Sequence, residues 1–167
     1  MSEDFSYSFR PVTRKDLPML ARWLAQPHVA EWWDDPETEL ASIEEHIDSI
    51  SVEPFIIEID GKPIGYIQSY DPHLEEDHPY QDQPFGTLGV DLTIGEASYL
   101  GLGHGSRLLS EFVEQLFEEG APRVIIDPDP KNARAIRAYE KAGFAIFDTR
   151  ESIYGKAVMM ARDAEEE

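Results

Sequence analysis

Leu100-Gly101-Leu102-Gly103-His104-Gly105-Ser106 is the stretch from which the rest of this chain is read. Three glycines alternate, and an amphipathic run follows at once, with Leu108, Leu109, Phe112, Val113, Leu116 and Phe117 at helical spacing. A strand-like segment, Thr87 to Ile94, precedes it. Glycine lets the backbone approach a ligand closely and adopt dihedrals that other residues avoid. The helix that opens behind the loop aims unpaired N–H groups and a positive dipole end at whatever binds there, which suits a pyrophosphate. Spacing alone leaves a plain loop and a Rossmann turn open as well. A Rossmann unit wants the loop early in a βαβ unit and an acid at the next strand end. Asp127 supplies the acid after Arg123-Val124-Ile125-Ile126, but only ~60 residues follow the loop and the upstream chain does not alternate strand and helix.

Upstream of the loop, Tyr7 to Pro11 reads as a short strand. Thr13-Arg14-Lys15-Asp16 has the form of a capping box, followed by Leu17, Leu20, Trp23 and Leu24 on one helical face, with a stop near Gln26-Pro27. Pro36 to Ser51 gives a second helix with Leu40, Ile43, Ile47 and Ile50 on its apolar face. Phe55 to Ile59 and Pro63 to Tyr70 form a hairpin about Asp60-Gly61. Asp71 to Pro84 is a long acidic loop, a kind that often carries function. Downstream, the glycine-loop helix runs to about Glu119, a buried strand covers Arg123 to Asp127, and a short helix covers Asn132 to Lys141. Strands Phe144 to Thr149 and Ala157 to Arg162 flank a turn near Gly155, and Asp163 to Glu167 reads as a frayed acidic end.

The 167 residues, 41% hydrophobic and 11% aromatic, suffice for one domain with a real core, expected over about residues 7–162. No apolar run approaches the length of a membrane span, and Met1-Ser2-Glu3-Asp4 lacks the form of a signal peptide, so a cytoplasmic location is expected. Zero cysteines exclude disulfides and thiolate catalysis. His46, His73, His78 and His104 lack metal-ligand spacing, so no metal site is expected. A net charge of −20 argues against nucleic acid or an anionic membrane surface as partner. It points to a small cationic partner, although solubility or salt adaptation gives the same total.

The order β-α-α-β-β-β-α-β-α-β-β is mixed α/β, of the α+β kind. With its motifs it resembles the GNAT superfamily of acyl-CoA-dependent N-acyltransferases. The loop Gly101 to Gly105 carries part of the match. The rest lies in Asn132-Ala133-Arg134-Ala135-Ile136-Arg137-Ala138-Tyr139-Glu140-Lys141-Ala142-Gly143-Phe144, which stands ~25–30 residues further on. Leu100 stands where the family usually has Arg or Gln, a change that a backbone-dominated site tolerates. Glu31-Trp32-Trp33, Gly61 to Tyr70, Gly89-Val90-Asp91 and Asp127-Pro128-Asp129-Pro130 are similar to the aminoglycoside 6'-N-acetyltransferase branch, which shades into siderophore-type lysine acyltransferases.

The resemblance implies a GNAT fold, a central mixed, mostly antiparallel sheet flanked by helices. It implies acetyl-CoA as cosubstrate and direct attack of a primary amine on the thioester. Asp91, ending Leu88-Gly89-Val90, then takes the ammonium proton, and Tyr139 protonates the leaving thiolate. The alternatives to these roles are a solvated strand end for Asp91 and a packing residue beside Ile136 and Ala142 for Tyr139. Asp127 is either a seat for a second ammonium or a turn carboxylate before Pro128, and Asp129 has the same two readings. Trp32 and Trp33 are either sugar-packing or core aromatics. The cofactor side is expected to use backbone groups of Leu92 and Ile94, the loop Gly101, Leu102, Gly103, His104, Gly105 and Ser106, the side chain of Asn132, and Arg134 or Arg137 on phosphates. The other functions in view are an N-hydroxylysine or polyamine acyltransferase, a protein N-terminal or lysine acetyltransferase, and a non-enzymatic acyl-CoA sensor. A monomer or a homodimer is expected.

Overall fold

The computed structural model describes residues 6–152 and 155–165. The readings of residues 1–4 and of the last two residues lie outside them, as do residues 153–154 in the turn before Gly155. One seven-stranded mixed sheet has the order β1-β2-β3-β4-β5-β7-β6. Its strands are β1 (Tyr7–Pro11), β2 (Val52–Ile59), β3 (Lys62–Tyr70), β4 (Leu88–Ile94), β5 (Arg123–Ile126), β6 (Ala145–Ser152) and β7 (Gly155–Asp163). The helices are α1 (Leu17–Leu24), α2 (Pro27–Ala30), α3 (Pro36–His46), α4 (His104–Glu118) and α5 (Ala133–Lys141). By its internal contacts the chain divides into two compact units, Met1–Gln68 with Leu92–Leu102, and Ser69–Asp91 with Gly103–Glu167.

In the first unit, β1 and β2 pair antiparallel from Tyr7↔Ile59 to Pro11↔Phe55. The β2–β3 turn places Asp60 at φ 49° and Gly61 at φ 83°, the two left-handed positions that a tight hairpin turn needs. Leu20, Trp23 and Leu24 of α1 pack with Val29, Ile43, Ile56 and Tyr66 in a buried cluster, as the helical spacing requires. The capping box forms: the Thr13 N–H donates to Asp16 Oδ2 at 2.9 Å, and Arg10 donates to both Asp16 oxygens at 2.9 and 2.8 Å. Those Arg10 bonds hold the Asp16 carboxyl below its ordinary range.

The first helix ends at Leu24 with Ala25 as its cap, near the expected stop, but a further short helix and one boundary depart from the sequence reading. Gln26 is extended, and Pro27, with its preset φ, opens the four-residue α2. The second helix stops at His46 instead of Ser51, because Ser49 Oγ accepts the N–H groups of Ser51 at 3.0 Å and Val52 at 3.2 Å and turns the chain into β2. Ile50, expected on the apolar face, is therefore 88% exposed.

In the second unit, β4 and β5 run parallel at Leu88↔Val124 and Gly89↔Ile125. β7 pairs antiparallel with both β5 and β6, with a register shift between Ile146 and Asp148. The apolar face of α4, Leu108, Leu109, Phe112 and Val113, is buried, as are Val124, Ile125, Met159 and Met160 of the strands. The long loop between β3 and β4 contains one 3-10 turn, Pro72–Leu74.

Candidate active site

The second unit gathers acids and phenols about Gly89 and Asp91, which lie within β4 and not at its end as the sequence reading of Asp91 had it. Side chains alternate along a strand, so Gly89 and Asp91 share one face while Val90 is fully buried on the other. Glycine at 89 makes room for an aromatic ring: a Cβ there would lie 2.0 Å from Tyr70 Cζ and 2.4 Å from its hydroxyl. The His78 ring lies against Tyr70 at 5.3 Å between centroids and meets Tyr80 at 5.1 Å on its other side. The Tyr80 hydroxyl donates to Asp127 Oδ2 at 2.7 Å.

Electrostatics ties these groups to Asp91. Burial pushes the Tyr139 phenol well above its ordinary value, and the charges of Asp91 and Asp127 push it further. Tyr70 is raised by burial first, then by Asp127 and Asp91. Tyr80 is raised by burial, by the charge of Asp127 and its hydrogen bond, and by Asp91. All three phenols are thus held neutral. The Asp127 carboxyl is itself raised by burial, against the pull of the Tyr80 bond and of its own backbone N–H. Asp91 and Asp127 thus bring negative charge to bear on phenols that stay protonated, and negative charge of this kind favours a cation nearby.

The glycine loop is built as its spacing suggests. Gly101 has φ 74° and Gly103 φ 84°, and a Cβ at Gly101 would meet nothing within 4 Å. Gly103 is the left-handed N-cap of the 15-residue α4, and Ser106 Oγ donates to its carbonyl at 3.3 Å. Leu102 is 59% exposed. The His104 side chain is buried, so this residue offers its backbone to the loop face. A Cβ at Gly103 would lie 3.9 Å from a terminal nitrogen of Arg107. This guanidinium was missed in the sequence, although i to i+4 spacing from Gly103 would have placed it there.

The remaining expected residues separate. Asn132 caps α5, its Oδ1 accepting from the Ala135 N–H at 3.2 Å. Arg134 and Arg137 are exposed on α5. Asp129 is exposed in the turn before α5, where its carboxylate accepts from the Lys131 N–H at 2.8 Å. In the first unit Leu92 and Ile94 are half-buried, and the Ile94 carbonyl meets His28 Nε2 at 2.9 Å. The two tryptophans divide their roles: Trp33 packs edge-on to Tyr66 with centroids 6.0 Å apart, while Trp32 stays 38% exposed. Tyr70, His78 and Tyr80 also escaped the sequence reading. Tyr70 is the last residue of β3, and His78 and Tyr80 lie in the loop after it, where no periodic signal marks them.

Among the described residues, no group of three or more His, Cys, Asp or Glu could hold a metal ion, and no helix is long and apolar enough to cross a membrane.

A seven-stranded mixed sheet, a glycine loop opening α4, and a carboxylate and a phenol sharing one field define an acyl-transfer fold. The acetyltransferase (GNAT) domain family matches residues 12–151, and the chain belongs to it. It is similar to the aminoglycoside N(6')-acetyltransferase type 1 of Klebsiella pneumoniae, with 39% identity over 166 residues, 94% of this chain and 83% of that protein. The structure of AAC(6')-Ib in complex with ribostamycin and coenzyme A superposes with a TM-score of 0.86 at 37% identity, covering 95% of this chain and 93% of that one. An N-hydroxyputrescine acetyltransferase of Acinetobacter baumannii is 31% identical over 141 residues, 81% of this chain and 65% of that protein. The chain is therefore an N-acetyltransferase of the GNAT fold, as the sequence motifs implied.

Proposed function

We propose that this enzyme transfers the acetyl group of acetyl-CoA to a primary amine of a cationic aminosugar, an aminoglycoside 6'-amine being the model acceptor. One observation supports the reading: Asp127 accepts the Tyr80 hydroxyl at 2.7 Å in the second unit, and the charges of Asp91 and Asp127 add to the burial that raises the Tyr139 phenol. The relatives that act on aminoglycosides support the acceptor class. The family match over residues 12–151 supports a single acetyltransferase domain as the working unit.

The residues divide the work as follows. Asp91 holds the incoming ammonium and takes its proton, which releases the nitrogen lone pair. The amine attacks the thioester carbon, so a C–N bond forms and the C–S bond breaks. Tyr139 donates its proton to the departing sulfur and is restored by the second proton of the attacking nitrogen, while Asp91 passes the first proton to solvent. The products are the N-acetyl amine and the free thiol, with one proton released overall.

The nucleotide end of acetyl-CoA is assigned to the glycine loop and the start of α4. Gly101 leaves open space, Gly103 has only the Arg107 guanidinium beside it, and the N–H groups of the first turn of α4 with that guanidinium suit phosphate oxygens. Leu102, His104, Gly105 and Ser106 take part through their backbone, and the Asn132 side-chain amide donates to the pantetheine arm. In the first unit, Leu92 and Ile94 have backbone groups of the kind that take an extended ligand as an added strand, and His28 Nε2 meets the Ile94 carbonyl at 2.9 Å. Arg134 and Arg137 are exposed cations for the remaining phosphate, and the exposed face of Trp32 packs on the sugar.

The relative named for N-hydroxyputrescine supports a second reading, in which a polyamine derivative is the acceptor and the chemistry is the same. Thiol release from acetyl-CoA, measured against kanamycin, its 6'-hydroxyl counterparts, spermidine, N-hydroxyputrescine and lysine peptides, separates the two. Turnover confined to 6'-amino sugars is expected. Turnover confined to polyamines transfers the assignment to the second reading, and turnover on none of these amines rejects both.

A further inference from the structure

Within the first unit, the end of β4 is clamped by its neighbours. The N–H groups of Gly95 and Glu96 both donate to the Ile64 carbonyl, at 2.8 and 3.1 Å. Two consecutive donors on one carbonyl are the pattern of a β-bulge, which bends a strand and re-aims its peptide groups. Glycine at 65 permits the close approach, since a Cβ there would overlap the Thr93 carbonyl oxygen. Glycine at 95 seats the Trp23 ring, and the Trp23 indole N–H donates to Glu96 Oε2 at 2.7 Å.

One peptide group in this clamp is held at both ends. A trans peptide points its C=O and N–H in opposite directions. The peptide between Ile94 and Gly95 gives its N–H to Ile64, and its C=O meets His28 Nε2 at 2.9 Å across 66 residues of chain. A carbonyl only accepts, so the imidazole carries a proton on Nε2 and donates it. His28 is half-buried on α2, where Pro27 opens the helix and the neighbouring Val29 is fully buried, so the element that carries the donor is itself anchored. A carbonyl oxygen has two lone pairs, so the His28 bond orients this group and leaves it the capacity for a second donor.

We propose that His28 is a positioning residue for the cosubstrate: by holding the Ile94 carbonyl it presets the Ile94–Gly95 peptide for an amide N–H of the pantetheine arm. The inference rests on the added-strand role of Leu92 and Ile94 proposed above. A preset peptide lowers the ordering cost of binding. Losing the His28 bond therefore weakens the cosubstrate and leaves the chemical step alone.

The test is calorimetric binding of coenzyme A, with no acceptor present, to wild-type protein and to His28→Ala, His28→Asn and His28→Gln. Glutamine carries an N–H at about the reach of the imidazole Nε2, and asparagine falls short of it. The coenzyme A Kd is expected to rise about 3–10-fold in the alanine and asparagine variants, the worth of one net hydrogen bond, and to return to within about twofold of wild type with glutamine. The acetyl-CoA KM follows the Kd, while kcat at saturating acetyl-CoA stays within about twofold. A merely structural role lowers the fraction of binding-competent protein and moves neither constant. Wild-type protein gives a readout that needs no variant: the His28 Nε2 resonance in imidazole 15N spectra is expected to move when coenzyme A is added. An unmoved Kd in folded His28→Ala, a glutamine variant as weak as alanine, or a His28 resonance indifferent to coenzyme A overturns the inference. Wild-type protein that binds no coenzyme A rejects the added-strand role and this inference together. Wild-type binding with an unmoved Kd in His28→Ala rejects the inference alone.

Discussion

Replacing Gly89 with alanine tests whether the site is built around the Tyr70 ring. The new Cβ would stand 2.0 Å from Tyr70 Cζ and 2.4 Å from both Cε1 and the hydroxyl oxygen, where ordinary contact begins at 3.4 Å. The ring must therefore withdraw by more than about 1 Å, although it is buried and backed by His78. Overpacking of this kind costs about 1–3 kcal/mol. For a chain of this size each kcal/mol lowers Tm by about 2–4 °C, so a fall of about 2–12 °C is expected in a thermal melt followed by circular dichroism. Asp91 lies on the same face of β4, so kcat/KM for the amine falls as well, while acetyl-CoA binding holds. A cycle with Tyr70→Ala isolates the cause. Truncating the ring is itself destabilising by about 3 kcal/mol or more. Once the ring is gone, Gly89→Ala should add less than about 0.5 kcal/mol, the scatter expected of independent sites. An unchanged Tm in the single variant, or full additivity in the double, refutes the reasoning.

Tyr139→Phe removes the proposed proton donor and should lower kcat by about 10²–10⁴-fold, with the KM for acetyl-CoA little moved in steady-state kinetics. Gly103→Ala forces a side chain into φ 84° at the start of α4, and a strain of about 1–2 kcal/mol should appear as weaker acetyl-CoA binding in calorimetry. His78 gives a pH dependence. Burial lowers its pKa below 6.5, with Glu75 opposing, and its Nδ1 accepts the Tyr80 N–H, so the folded chain prefers the neutral ring. The stability this ring lends the loop between β3 and β4 is complete above the unfolded value and is lost as pH falls through the lower folded one. The groups facing it are Glu75, Tyr70 and Tyr80. Amide exchange at Tyr80, corrected for its intrinsic rate, should accelerate on going from about pH 8 to about pH 5, and His78→Gln should flatten that response. Exchange that slows below the lowered pKa contradicts the assignment.

The parts of the fold that repeat were legible in the sequence. The Leu20, Trp23 and Leu24 face of α1, the Asp60-Gly61 hairpin and the Gly101–Gly105 loop each follow from a local rule, and each stands where that rule puts it. Boundaries set by single side chains were not legible. Ser49 ends α3 early by capturing two N–H groups, and Pro27 starts a further short helix just past the expected stop. The site divides in the same way. Asp91 and Tyr139 were singled out through motif and through a hydrophobic run ending at Asp91, which the structure places in the middle of β4, and the charge of Asp91 adds to the burial that raises Tyr139. Tyr70, His78 and Tyr80 come from a strand end and a loop whose course depends on long-range ties such as Arg150 to Asp82. Asp127 was visible as an acid, but the Tyr80 bond that engages it joins positions 47 residues apart.

The central claim is that Asp91 takes the proton of the acceptor amine. Asp91→Asn keeps the shape of that side chain and removes its basicity. The measurement is kcat/KM for a 6'-amino aminoglycoside, taken alongside the acetyl-CoA dissociation constant of the same preparation. The account predicts a loss of turnover of about 10²–10⁴-fold with acetyl-CoA binding unchanged. Acetylation at the wild-type rate by folded Asp91→Asn protein contradicts it.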